Sequence, residues 1–97
     1  MRKIRDIKPG DKRVRLVGTL VEVKGKELIL DDGSARIRVI FEDESRIRGF
    51  EVGEVVRIFG KPVKVGNELF IKGELIQDMS ALNLELAKKV WEVLFNV

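Results

Sequence analysis

The chain has 97 residues and contains no cysteine, histidine or tyrosine, and its single threonine is Thr19. Without thiol or imidazole, most nucleophile–base pairs and most zinc sites have no parts to be built from. Lack of cysteine also excludes disulfides and fits a reducing cytoplasm. Carboxylate and lysine chemistry is left. The acidic runs Asp31-Asp32 and Glu42-Asp43-Glu44 are the candidates for a hard-cation site. Both have a simpler reading: Asp31-Asp32-Gly33 is a turn, and residues 42–44 are a solvated loop. The expectation is a protein that is not an enzyme, with no metal and no cofactor. No apolar run is long enough to cross a membrane. The basic opening Met1-Arg2-Lys3-Ile4-Arg5 leads into Pro9-Gly10 rather than into the apolar stretch of a secretory signal. Gln77 is the only glutamine, while charged residues make up 36% of the chain. That balance is the composition of hyperthermophile proteins.

What is present is modest in total charge and uneven in its placement. The net charge is +3, but residues 1–40 carry eleven Lys/Arg against six Asp/Glu, and residues 41–97 carry eight against ten. A basic half suggests a polyanion partner. Solubility alone explains a balance this small equally well.

The length suits one domain, residues 1–97, read as a barrel over about 11–78 and a terminal helix over about 79–96. Residues 13–23 are rich in β-branched side chains and interrupted by Gly18, which predicts a bulge that bends a long first strand. After the turn Lys24-Gly25-Lys26, residues 27–30 form a second strand, stopped by the hairpin signal Asp31-Asp32-Gly33-Ser34. Residues 35–41 then alternate: Ala35, Ile37, Val39 and Phe41 on one face, Arg36, Arg38 and Ile40 on the other. An irregular connection follows, with a helical turn near 45–48 and Ile47 and Phe50 pointing inward. Residues 55–64 give a fourth strand, where Gly60 is a bend and Pro62 marks a ladder defect or an edge. Residues 68–76 give the fifth strand. Five short strands, a bent first strand and an irregular third connection predict an all-β Greek-key barrel of the OB-fold type.

The terminal segment carries more apolar surface than one small domain uses. Stepping about 100° per residue, Leu82, Leu86, Val90, Val93 and Val97 share an arc of about 80°. Leu84, Ala87, Trp91, Leu94 and Phe95 share a second arc, and Glu85, Lys88, Lys89 and Glu92 take the rest. Two arcs imply two burials, one against the barrel and one against another chain. Deeper wrapping within a single domain is the simpler alternative. With the sequence ending at Val97, the expectation is an interaction helix.

An OB barrel takes ligands on the face of strands 2 and 3, flanked by the loops joining strands 1 and 2 and strands 4 and 5. The candidates there are Arg36 and Arg38, with Arg13 and Arg15 beside them on the first strand, Lys24 and Lys26 at one loop and Lys64 at the other. Guanidinium groups at this spacing pair with phosphates of a single strand. Alternating arginines also serve simply to keep an outer face wet. Stacking aromatics are missing from this face. Phe59 and Phe70 turn outward with Arg57 and Lys72, either as a platform for bases or as a seat for the terminal helix.

The chain resembles the small OB-fold subunits of replication protein A, especially archaeal ones. The resembling residues are Val14-Arg15-Leu16-Val17-Gly18, Leu30-Asp31-Asp32-Gly33-Ser34, Gly53-Glu54-Val55-Val56-Arg57-Ile58-Phe59-Gly60 and Ile76-Gln77-Asp78-Met79-Ser80. The likeness runs from about Ile4 to Phe95. It implies a small subunit of a single-stranded-DNA-binding complex in replication or repair, partnered with the other subunits through a C-terminal helix bundle. Leu82, Leu86, Val90, Trp91, Val93, Leu94 and Phe95 are the positions onto which that interface carries. No winged-helix sequence follows the barrel, which sets the chain apart from the family's middle subunit, and the paired stacking aromatics of its strongest DNA binders are missing. The expected role is therefore a scaffold with weak backbone contact to DNA. An autonomous DNA- or RNA-binding module, and an enzyme accessory domain without a nucleic-acid role, are the alternatives.

Overall fold

The computed structural model describes residues 2–79. Five strands follow one another: β1 (Val14–Lys24), β2 (Glu27–Asp31), β3 (Arg36–Ile40), β4 (Val55–Val65) and β5 (Glu68–Asp78). They close into a barrel in the order β1-β2-β3-β5-β4. The β3–β5 pair is parallel, and the other four pairs are antiparallel. This is the five-stranded Greek-key barrel expected of an OB-fold.

β1 serves two neighbours in succession. Val14 to Thr19 pair with β4, and Thr19 to Lys24 pair with β2. At Gly18 the two partners come close: a Cβ there would lie 2.5 Å from the carbonyl oxygen of Asp31. Gly18 is thus a point of backbone approach. The bulge expected at that position lies further on, between Leu20 and Glu22. β4 outruns β1, whose pairing stops at Val14 opposite Gly60. Pro62 sits beyond that point and pairs only with β5, so on the β1 side there is no ladder for its missing N–H to break.

Alternation of side chains fills the barrel from within. Leu16, Leu20, Leu28, Leu30, Val39, Val56, Ile58 and Ile71 are fully buried, and Phe41 lies among them. Gly73 leaves room for its ring, since a Cβ there would fall 2.6 Å from Phe41 atoms. Ile47, from the β3–β4 connection, covers the end near the β1–β2 turn. The expected helical turn of that connection is a 3-10 turn at Glu44–Arg46, where Asp43 accepts hydrogen bonds from the N–H and hydroxyl of Ser45.

The opposite end is closed by the N-terminal segment, whose Ile4 and Ile7 are buried in the core. Asp32 fastens it. Its carboxylate accepts hydrogen bonds from the Ile4 N–H at 2.8 Å, the Ser34 N–H and hydroxyl, and the Ala35 N–H. Burial by itself raises the Asp32 pKa, but these bonds outweigh it and hold the carboxyl below its ordinary value. A lowered folded-state pKa stabilises the protein above the unfolded value, near 3.9, and the benefit is lost as pH falls through the folded value. Asp32→Asn is expected to cost about 2 kcal/mol at pH 7 and to lower Tm by about 8–16 °C. The gap from wild type closes as pH falls below about 4. Thermal melts of both proteins across pH test this; a gap that does not change with pH contradicts it.

The terminal helix expected over about 79–96, with its interface positions Leu82, Leu86, Val90, Trp91, Val93, Leu94 and Phe95, lies outside the described residues except for Met79. Met79 donates its N–H to the Val55 carbonyl at 2.9 Å, so the last described residue lies beside the start of β4. Among the described residues no helix is long and apolar enough to cross a membrane.

Candidate functional site

The outer surface of β2 and β3 is where the sequence places the candidate cations. Arg36 and Arg38 do stand there, both exposed, because Ile37 and Val39 between them are committed to the core. Neither is a bare charge. Arg36 faces its cross-strand partner Asp31, with Nε 2.9 Å from Oδ2. Arg38 reaches Glu68 on β5 at 3.0 Å and lies 3.9 Å from Glu27 on β2. The Asp31 carboxyl is held below its ordinary pKa, first by the Gly33 N–H and then by Arg36, so it stays ionised. Exposed pairs of this kind add little to stability. Their effect is on the field: a polyanion arriving at this face meets guanidinium groups already matched by carboxylates.

Lys24 joins the same face. With Glu22, Glu27, Leu28, Ile29 and Arg38 it lines a shallow cavity of about 200 Å³. Lys26 shares a neighbouring cavity with Lys24, Glu27 and Glu44. Lys64 is exposed on β4, opposite Leu69, next to the β4–β5 turn. That turn adjoins β3 through the Arg38–Glu68 pair.

Arg13 and Arg15 do not join them. The expectation that they stand beside Arg36 and Arg38 fails because the first half of β1 lies against β4: Arg15 pairs with Phe59. Arg13 is bound to Glu74 of β5, with Nε 2.9 Å from Oε1. These two arginines belong to the outer face of β1, β4 and β5. Arg57 lies over the Phe59 ring at 5.5 Å, a cation–π distance, and donates to Gln77 Oε1 from both Nε and Nη2. Val55 and Leu75 on this face are exposed, Leu75 by 48%.

Phe59 and Phe70 both turn outward, with Val56, Ile58 and Ile71 inward, as the alternation predicts. They do not form a pair. Phe70 pairs with Val63, which lies four residues along β4 from Phe59, about 13 Å at strand rise. Phe70 instead borders a cavity of about 390 Å³ with Ile40, Phe41, Glu42 and Lys72. Sequence reading missed the partnered carboxylates Glu27, Asp31 and Glu68. The Asp31–Arg36 pair was open to inference, since a hairpin turn at 32–35 sets those two residues opposite one another. Glu68 gave no such signal. Among the described residues no group of acidic side chains is arranged to hold a metal ion. The Asp31-Asp32-Gly33-Ser34 run is a turn closed by its own hydrogen bonds.

No protein-family model and no curated protein matches the chain. Solved structures do. The hypothetical protein ygiW from E. coli superposes with a TM-score of 0.62 and 27% identity, over 77% of this chain and 82% of that one. A chain of the S. pombe Stn1-Ten1 complex superposes with a TM-score of 0.62 and 18% identity, over 86% of this chain and 76% of its own length. At that identity the second likeness concerns the fold.

Proposed function

We propose that this protein is a small OB-fold subunit of a single-stranded-DNA-binding complex, similar to the small subunits of replication protein A, acting in replication or repair. It assembles larger subunits through residues 80–97 and touches the strand only weakly itself. The observation that carries this reading is the self-neutralised β2–β3 face: Arg36 is held by Asp31 and Arg38 by Glu68. An autonomous binder would present those guanidinium groups to phosphate, because phosphate neutralisation supplies most of its affinity. Two further features favour a scaffold. The chain leaves the barrel beside Val55, on an outer face with exposed apolar surface at Val55 and Leu75. The fold is also found in a chain of the S. pombe Stn1-Ten1 complex, a protein that is part of an assembly.

The test is to release the arginines. Asp31→Asn together with Glu27→Gln and Glu68→Gln removes the carboxylates paired with both cations without adding any cation. Affinity of the isolated chain for a single-stranded oligonucleotide is expected to rise severalfold. The log–log salt slope should steepen by about 1.4, at roughly 0.7 per phosphate newly neutralised. Unchanged affinity and slope would mean that neutralisation does not limit binding at this face, and the scaffold reading would lose its main support.

A further inference from the structure

Lys61 and Lys72 stand directly opposite one another on β4 and β5. Like charges directly opposed across antiparallel strands repel, and among the described residues neither lysine has an ion-pair partner. Arg36 and Arg38 on the β2–β3 face are matched by carboxylates, and this pair is not. The next outward position on each strand is apolar: Val63 on β4 pairs with Phe70 on β5. On the far side of β5, Ile40 of β3 is the partner of Lys72. Phe70, Ile40 and Lys72 then border the cavity of about 390 Å³, with Glu42 as its one carboxylate.

We propose that this surface, the row Ile40–Lys72–Lys61 with Phe70 two residues along β5 beside it, is where the chain itself contacts an unpaired nucleotide. The inference rests on the single-strand reading above and moves the direct contact away from Arg36 and Arg38. The two lysines need an anion between them, and a half-buried phenyl ring beside them offers a flat face to a base. A single strand supplies both in one residue: phosphate at Lys61 and Lys72, base against Phe70. The Glu42 carboxylate keeps the phosphate on the lysine side. A duplex has its base faces occupied, and an acidic peptide has charge without a ring to stack, so neither uses the whole surface.

The experiment uses the full chain and a labelled oligothymidylate, with binding measured across salt concentrations. Lys61→Gln with Lys72→Gln should reduce the salt slope by about 0.7, for the one phosphate the two lysines share. Phe70→Leu keeps apolar volume and removes the ring, and affinity should fall about five- to a hundredfold, as expected for one lost stack. Unchanged melting temperature shows that the variant is folded. Arg15→Gln, on the far face, should leave the ring's contribution intact. A wild-type chain that fails to bind, alone or with its partners, removes the single-strand reading and this site together. Wild-type binding that survives all three substitutions overturns this site and leaves the broader reading standing. Lysine dependence without Phe70 dependence makes the contact purely ionic and overturns the base-stacking proposal. So does equal loss on Phe70→Leu for polyglutamate or duplex, which would mark a general docking face.

Discussion

Gly18→Ala is expected to lower stability by about 3 kcal/mol or more, at or beyond the upper end of ordinary overpacking. For a domain of this size that is a fall in Tm of about 12–24 °C. The reason is the double duty of β1. At Thr19 it passes from β4 to β2, pairing with Val55 and Asp31 at once. One residue earlier, an added methyl would sit 2.5 Å from the Asp31 oxygen and 2.9 Å from its carbonyl carbon. Those are backbone atoms held in the β2–β3 ladder by the Asp31–Arg36 pairing, so no rotamer change relieves the contact. The strands must part. Gly10→Ala is the control, because nothing lies within 4 Å of a Cβ there; its Tm should hold or rise slightly. Equal melting temperatures for Gly18→Ala and wild type would show that β1 and β2 do not close as described.

Trp91→Glu with Leu94→Glu is expected to abolish association while leaving the barrel folded. Both residues fall on the second apolar arc of the terminal segment, taken as the one buried against another chain. Two buried carboxylates in an apolar contact cost far more than a marginal interface contributes. The barrel has no need of that arc for its described core, which runs from Ile4 to Ile76 and is closed at both ends by Ile4, Ile7 and Ile47. Sedimentation or light scattering should therefore report a monomer, and the melting transition should stay within a few degrees of wild type. A variant that unfolds would place Trp91 and Leu94 in the domain's own core and end the assembly reading.

The strands were legible in the sequence because each carries its own alternation. Ile37, Val39 and Phe41 face in, Arg36 and Arg38 face out, and the hairpin residues Asp31-Asp32-Gly33-Ser34 fix the turn before them. Pro62 marked a ladder defect or an edge, and it lies where β4 has run past β1 and pairs with β5 alone. Features that depend on contacts distant in sequence were not legible. Ile4 read as part of a basic N-terminus, and contacts distant in sequence bring the segment onto the barrel: the Ile4 N–H to Asp32, the Arg5 N–H to Ser34 and the Arg2 N–H to the Arg15 carbonyl. The bulge was assigned to Gly18 because glycine is the visible irregularity, whereas the register shifts two residues later. Arg13 and Arg15 were grouped with Arg36 and Arg38 as one basic face. β1 changes neighbours at Thr19, which sends its first half and those two arginines to β4. The neutralisation of Arg38 rests on Glu68, thirty residues on, and becomes visible only with the parallel closure of β3 on β5.

The central claim, a scaffold rather than an autonomous binder, is tested most directly by one titration. Affinity for a long single strand is measured for the isolated chain, for the chain with its native partner subunits, and for both again after removal of residues 80–97. One stacking ring contributes only about 1–3 kcal/mol, so the isolated chain should bind weakly. Partners should raise affinity by orders of magnitude through linked sites. Removal of residues 80–97 should erase that gain and spare the weak binding of the barrel. Nanomolar binding by the isolated chain in moderate salt, unchanged when residues 80–97 are removed, would contradict the account.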